Sequence, residues 1–275
     1  EAYGEGKGAR LDFSDDRLRI NQYRKPVNAG GKMTQQRTPH KMRELARAVA
    51  LNYFMRYEDQ STLVHLAGAR GSENNIEWAI PLESDPDFAE IMINPVRAPT
   101  RNRHYIGKAG SLARVSATAN ELDIATTDLM TTDVLDALRT KLESMPLPPQ
   151  GVKFEGDLQA NDSPLRVLLV SSEQYTSIAK STNFRTLQAQ AMARASTAKN
   201  HPIFMGDVGL FNGILIVRMP KPIRFFAGDV VRWCASTTSL VETAVDLVPA
   251  AFGTGFAVDR AILLGGQALC EAYGK

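Results

Sequence analysis

Cysteine is scarce. Cys234 and Cys270 are the only two in 275 residues, and neither lies at a metal-binding spacing. They offer no disulfide framework and fit a reducing cytosol. Histidine is scarce too. His40, His65, His104 and His201 are scattered, with no i, i+4 pair and no Cys/His cluster, so no zinc ligand set is present. Charge of one sign is not in excess. Lys plus Arg is 32 and Asp plus Glu is 30, a net charge of +2. A dedicated nucleic-acid binder normally has a strong basic surplus, although this balance leaves room for a local basic face. No apolar run approaches the length of a membrane span, and the opening residues lack a signal-peptide pattern. The chain opens on Glu1 instead of Met, so processing or trimming is expected.

Catalytic signatures are missing as well. Gly30, Gly31 and Lys32 imitate a phosphate loop, but Met33 stands where magnesium binding needs Ser or Thr. Gly6, Lys7 and Gly8 fail for the same reason. Gly253-Thr-Gly255 lacks the third glycine and the βαβ setting of a dinucleotide site. No Gly-x-Ser-x-Gly elbow occurs. The carboxylate pairs Asp15/Asp16, Glu58/Asp59 and Asp85/Asp87 are adjacent or nearly so, and helix neighbours point apart, so each reads as a solvated face. No cofactor or metal is expected, and the chain reads as no enzyme.

What is present is organised around residues 38–67. Thr38 is placed to act as N-cap, with Pro39 at the first helical position, where its missing N–H costs nothing. Met42, Leu45, Ala46, Val49, Tyr53, Leu63 and Leu66 recur at helical spacing, and Gly68 and Gly71 supply the stop. Thirty helical residues would span about 45 Å, longer than one compact core can wrap. The alternative is two helices broken near Glu58–Ser61. Upstream, residues 1–37 read as a polar β-hairpin. Its strands would fall near Leu11–Phe13, Leu18–Tyr23 and Lys32–Arg37, joined across Pro26–Gly31. Such a ribbon is marginal alone and wants something to lie on.

Downstream, residues 72–108 hold Pro81, Pro86, Pro95 and Pro99 with Arg97, Arg101 and Arg103. A long irregular excursion of this kind is usually functional or interfacial. One strand is expected within 111–125. Thr131 and Thr132 should cap a helix with Leu135, Leu138, Leu142 and Met145 on one stripe, ended by Pro146, Pro148 and Pro149. Leu165–Val170 reads as a strand. Ser171 and Gln174 form a capping box that opens a helix, and Phe184–Ala195 reads as a second helix or a continuation of it. Asn212-Gly213 between apolar runs signals a hairpin with a type I′ turn. Residues 223–256 mix short strands with loop. Val258–Leu264 reads as strand, and Gln267–Tyr273 as a short helix. The class is α+β with two modules.

Four stretches carry a family resemblance. They are Gly31–Gln36 with Arg37 and Thr38 leading into the helix that ends Leu66-Ala-Gly-Ala-Arg-Gly71; Asn94–Arg103; Phe204–Ile214; and Asp259–Leu269 with Ala272–Gly274. In this order the chain resembles the major capsid proteins of tailed double-stranded-DNA phages with the Hong Kong 97 fold, in the podophage-type branch. The resemblance implies three domains: an N-terminal arm and extended loop over 1–37, a peripheral domain with the spine helix over 38–149, and a mainly axial domain over 150–275. Family members continue past the motif ending at Gly274 into further peripheral strands, so a C-terminal segment beyond the chain, or a shortened relative, is expected.

The implied function is self-assembly into hexamers and pentamers of an icosahedral virion capsid that encloses double-stranded DNA and is built in the host bacterial cytoplasm. The implied partners are further copies of the chain, scaffolding, portal and decoration proteins, and packaged DNA held without specificity, with no membrane. Arg17, Arg19, Tyr23, Lys25, Lys32 and Arg37 become candidate contacts of the extended loop, and Arg97, Arg101 and Arg103 those of the excursion. Two alternatives stand beside this one: an encapsulin-like nanocompartment shell of the same fold, and a soluble two-domain enzyme with a dispersed site.

Overall fold

Met42–Ala67 forms one unbroken helix, α2, of 26 residues or about 39 Å. It does not break at Glu58–Ser61. Gly68 ends it at φ +65°, and a Cβ there would meet the Arg97 carbonyl at 2.4 Å, so glycine alone fits. The computed structural model describes residues 17–22, 24–28, 30–37, 40–115, 120–153, 165–186, 208–236, 241–266 and 268–269. Thr38 and Pro39 lie outside these, and the helix starts at Met42 with Lys41 in the N-cap position and no side-chain cap. The expected strand at Leu11–Phe13 also lies outside, as do the later portions of the helices expected after Phe184 and Gln267.

The hairpin expected over 1–37 is not what the described residues form. Among the described residues of 17–28 no regular strand occurs, and Lys32–Arg37 is a short helix, α1. Met33, Gln35, Gln36 and Arg37 are competent helix formers, and no partner strand is present among the described residues to override that preference. The excursion is partly ordered. It contains α3 (Asp87–Ile91), a 3₁₀ turn at Arg101–Arg103 and the hairpin β1 (Tyr105–Lys108) with β2 (Ser111–Arg114).

The helix α4 (Thr132–Glu143) forms as the stripe requires, although the Thr131 hydroxyl caps nothing. β3 (Arg166–Val170) leads into α5 (Ser172–Lys180) through the complete capping box: Gln174 N donates to Ser171 Oγ and Ser171 N to Gln174 Oε1. β4 (Val208–Phe211) and β5 (Ile214–Arg218) turn at Asn212 (φ +46°) and Gly213 (φ +74°), the type I′ signature. Then follow β6 (Arg224–Phe226), β7 (Val230–Cys234), β8 (Glu242–Leu247), β9 (Ala257–Asp259) and β10 (Ile262–Leu264).

The largest sheet has the order β10-β3-β5-β4, with β3 and β5 parallel and the other neighbours antiparallel. It separates two cores. On one face Leu168, Val170, Ile214 and Ile216 pack with Leu135 of α4, Ile178 of α5 and Phe184. On the other, Leu169, Ile262 and Leu264 join a larger core built on the second half of α2, Trp78, Ile80, Ile223, Phe225 and Trp233. The alternation of β3 and β10 residues between the cores is the period-2 rule of a strand buried on both faces. The proline run 146–149 does not separate these cores in the chain. α4 precedes it yet packs in the smaller core, while β6 to β9 follow it and build the larger. Arg166 staples the run to the sheet by donating twice to the Pro149 carbonyl.

Candidate interaction surface

The helix α2 has two unlike halves. Tyr57, Gln60, Leu63, Val64 and Ala67 are buried and form one face by the period of about 3.6 residues. This half is anchored by polar bonds as well as by packing. The Tyr57 hydroxyl donates to the Ile91 carbonyl at 3.0 Å. The Gln60 amide takes a bond from Ala79 N and gives one to the Glu77 carbonyl, pinning the excursion as a strand partner would. At the C-terminal end, the Arg260 guanidinium donates to the Ala67 carbonyl at 2.7 Å, filling one of the acceptors a helix end leaves open.

The first half has no such company. No residue from Met42 to Arg56 is buried. Met42, Leu45, Ala46, Val49 and Tyr53 continue the core-facing stripe for three further turns, and Leu45 and Val49 are 55% and 59% exposed. Leu51 and Met55 on the other side are 55% and 65% exposed. An amphipathic stripe that leaves its core is a surface awaiting a partner.

The candidate loop contacts fall beside this helix. Lys25 Nζ sits 4.6 Å from the Tyr53 ring centroid, a cation–π contact within the chain. Arg19 is held through its backbone: its N–H donates to Asn94 Oδ1 and its carbonyl accepts from Asn94 Nδ2. Arg17 and Arg19 are exposed, as are Lys32 and Arg37 on α1. Tyr23 lies outside the described residues. Residues 17–21, the second half of α2, α3 and Leu269 enclose a cleft of about 1730 Å³.

The three excursion arginines differ in their surroundings. Arg97 and Arg103 are exposed. Arg101 is turned inward, paired at 3.0 Å with Asp246, whose side chain is fully buried. Trp233 Nε1 donates to the other Asp246 oxygen at 2.7 Å. His104 packs edge-on against Trp233 with centroids 4.6 Å apart, and burial together with the Arg260 charge pushes its pKa down to about 3. Arg260 itself is lowered to about 10 by burial, against the pull of Glu83. Nearby, Arg224 makes a two-pronged pair with Asp259, whose hydrogen bond holds the guanidinium above its ordinary value against desolvation. Arg70 is buried over Trp78 at 3.5 Å. These polar groups brace the larger core. A carboxylate within the apolar run of β8 was their one legible sign in the sequence. Among the described residues no group of three or more His, Cys, Asp or Glu is placed to hold a metal.

A family model described as phage capsid protein matches residues 1–275. Among solved structures, the chain is similar to the capsid of Ralstonia phage GP4, with a TM-score of 0.52 and 25% identity over 75% of this chain and 54% of that one. The chain therefore spans about half the length of that protein. No curated protein matches it.

Proposed function

The chain belongs to the phage capsid protein family, with a structural role in the virion capsid, and from that premise we propose that its copies assemble into hexamers and pentamers of an icosahedral shell around double-stranded DNA. The observation that carries this reading is the thinly covered first half of α2, where Leu45 and Val49 stay more than half exposed on a stripe that Tyr53 joins to the core. In the proposed layout the larger core, with the spine helix, is the peripheral domain, and the sheet with α4 and α5 belongs to the axial domain. Residues 17–37 act as the extended arm, reaching a neighbour through exposed basic side chains. Obligate interfaces commonly bury upwards of about 2,000 Å² and are more apolar than transient ones, which the uncovered stripe suits.

The test is negative-stain microscopy of the purified full-length protein beside a variant lacking residues 12–36. The full chain is expected to give closed shells that retain nucleic acid. The deletion is expected to give folded, unassembled subunits. Intact shells from the deletion would refute the role of the arm, and a solitary full-length chain at micromolar concentration would refute the assembly. Shells filled with a co-purifying enzyme in place of nucleic acid would identify a nanocompartment.

A further inference from the structure

Charge is segregated along this chain in a way its near-zero total conceals. Residues 32–56 hold six basic side chains and one acidic one, whereas residues 58–90 hold eight acidic and one basic. The single acid in the first stretch, Glu44, is tied to Lys41, and the single base in the second, Arg70, is buried over Trp78. Among the described residues, Lys32, Arg37, Arg43, Arg47 and Arg56 make no ion pair, and neither do Asp59, Asp87 and Glu90. All eight are exposed.

The outer parts of the two stretches cannot neutralise each other in one chain. α2 is a rod, and Arg43 lies about 21 Å along it from Tyr57. Tyr57 marks where α3, with Asp87 and Glu90, is fastened, through its bond to the Ile91 carbonyl. That separation is more than twice the screening length of about 8 Å at physiological salt. Arg43 is therefore held away from Asp87 and Glu90 of its own chain, while Arg56 lies beside Asp59 where the two stretches meet.

On these observations we infer that the projecting half of α2 docks against the acidic excursion, around Asp87 and Glu90, of a second copy of this chain. The occupant is a protein and not a nucleic acid because the basic half also bears Leu45 and Val49, exposed apolar side chains that a phosphate backbone does not bury. It is a second copy because each chain carries the complement of its own surface. The contact joins unlike patches, so it is head-to-tail and closes into a ring if the rotation permits. The charges set orientation and encounter rate, and the apolar stripe supplies the burial.

This inference rests on the assembly proposed above and names the surface that receives α2. The test uses the full-length chain with Asp87→Lys/Glu90→Lys, with Arg43→Glu/Arg47→Glu, and with all four together, read as the assembled fraction by analytical ultracentrifugation. Each double reversal is expected to lower the assembled fraction at least about tenfold, and the fourfold variant to return within about threefold of wild type. Should a reversal lose its cooperative melting transition, Asp87→Asn/Glu90→Asn replaces it and is read the same way. Double reversals that assemble like wild type overturn the inference and leave the shell proposal standing. A fourfold variant no better than its parents, with all variants folded, overturns it as well. Loss of retained nucleic acid from Arg43→Glu/Arg47→Glu with particles unchanged also overturns it, and assigns the basic half to DNA. A wild-type chain that never assembles takes down both proposals.

Discussion

Asp246 shows how a single side chain organises the larger core. A lone buried carboxylate is costly, so its two oxygens are taken up by Arg101 and by the Trp233 indole N–H. That pairing turned a candidate surface arginine into an internal brace. His104 sits on the same tryptophan and is kept neutral there, its pKa about 3 against an ordinary value near 6.5. The unfolded chain thus binds one more proton than the folded chain between these values, and stability falls as pH drops through that window. From pH 6.5 to 5 the loss from this residue is about 2 kcal/mol at most. His65, lowered by burial, acts in the same direction. Thermal midpoints at pH 7 and pH 5 are expected to differ more for the wild type than for His104→Gln. An equal difference would show that His104 is free to protonate in the fold.

Among the elements, three with signals in neighbouring residues formed as read, while the expected Thr131 cap did not. The Ser171–Gln174 capping box, the Asn212-Gly213 turn and the glycine stop of α2 each need only local backbone geometry and one or two side chains. Ser171→Ala removes the acceptor for Gln174 N, and a stability loss of about 1 kcal/mol is expected by chemical denaturation. α5 is also tied to β9 through Gln174 Nε2, which donates to the Asp259 carbonyl, so an unchanged midpoint would mean that this tertiary bond alone sets the helix start. The arm went the other way. Partial alternation over 18–37 suggested strands, yet among the described residues it finds no second strand to pair with, and Lys32–Arg37 is helical. α2 begins with Lys41 and Arg43 at the positive end of its own dipole, which costs about 0.3–1 kcal/mol per charge and suits a purpose outside the helix.

For the whole molecule, the decisive feature is an α2 buried on one face of its second half and with no buried residue from Met42 to Arg56. Leu45→Gln/Val49→Gln removes exposed apolar surface that the single chain does not bury. The expected outcome is a subunit stability within about 0.5 kcal/mol of wild type, since surface changes of this kind are nearly neutral. Particle formation by the same variant is expected to fail. A large loss of subunit stability, measured by denaturant titration under conditions that keep the chain unassembled, would mean that the stripe is covered within the chain.

The sequence by itself determined the long helix, its glycine stop, the capped strand-to-helix passage and the type I′ hairpin, because each depends on residues a few positions apart. It also carries enough ordered motifs to suggest the capsid family. The tertiary structure alone decided that one sheet would divide the interior into a larger and a smaller core, with α4 on the far side of the prolines from its core-mates, and that Arg101 would face inward to Asp246. Those outcomes turn on contacts between residues as many as 193 positions apart, whose energies no local pattern encodes.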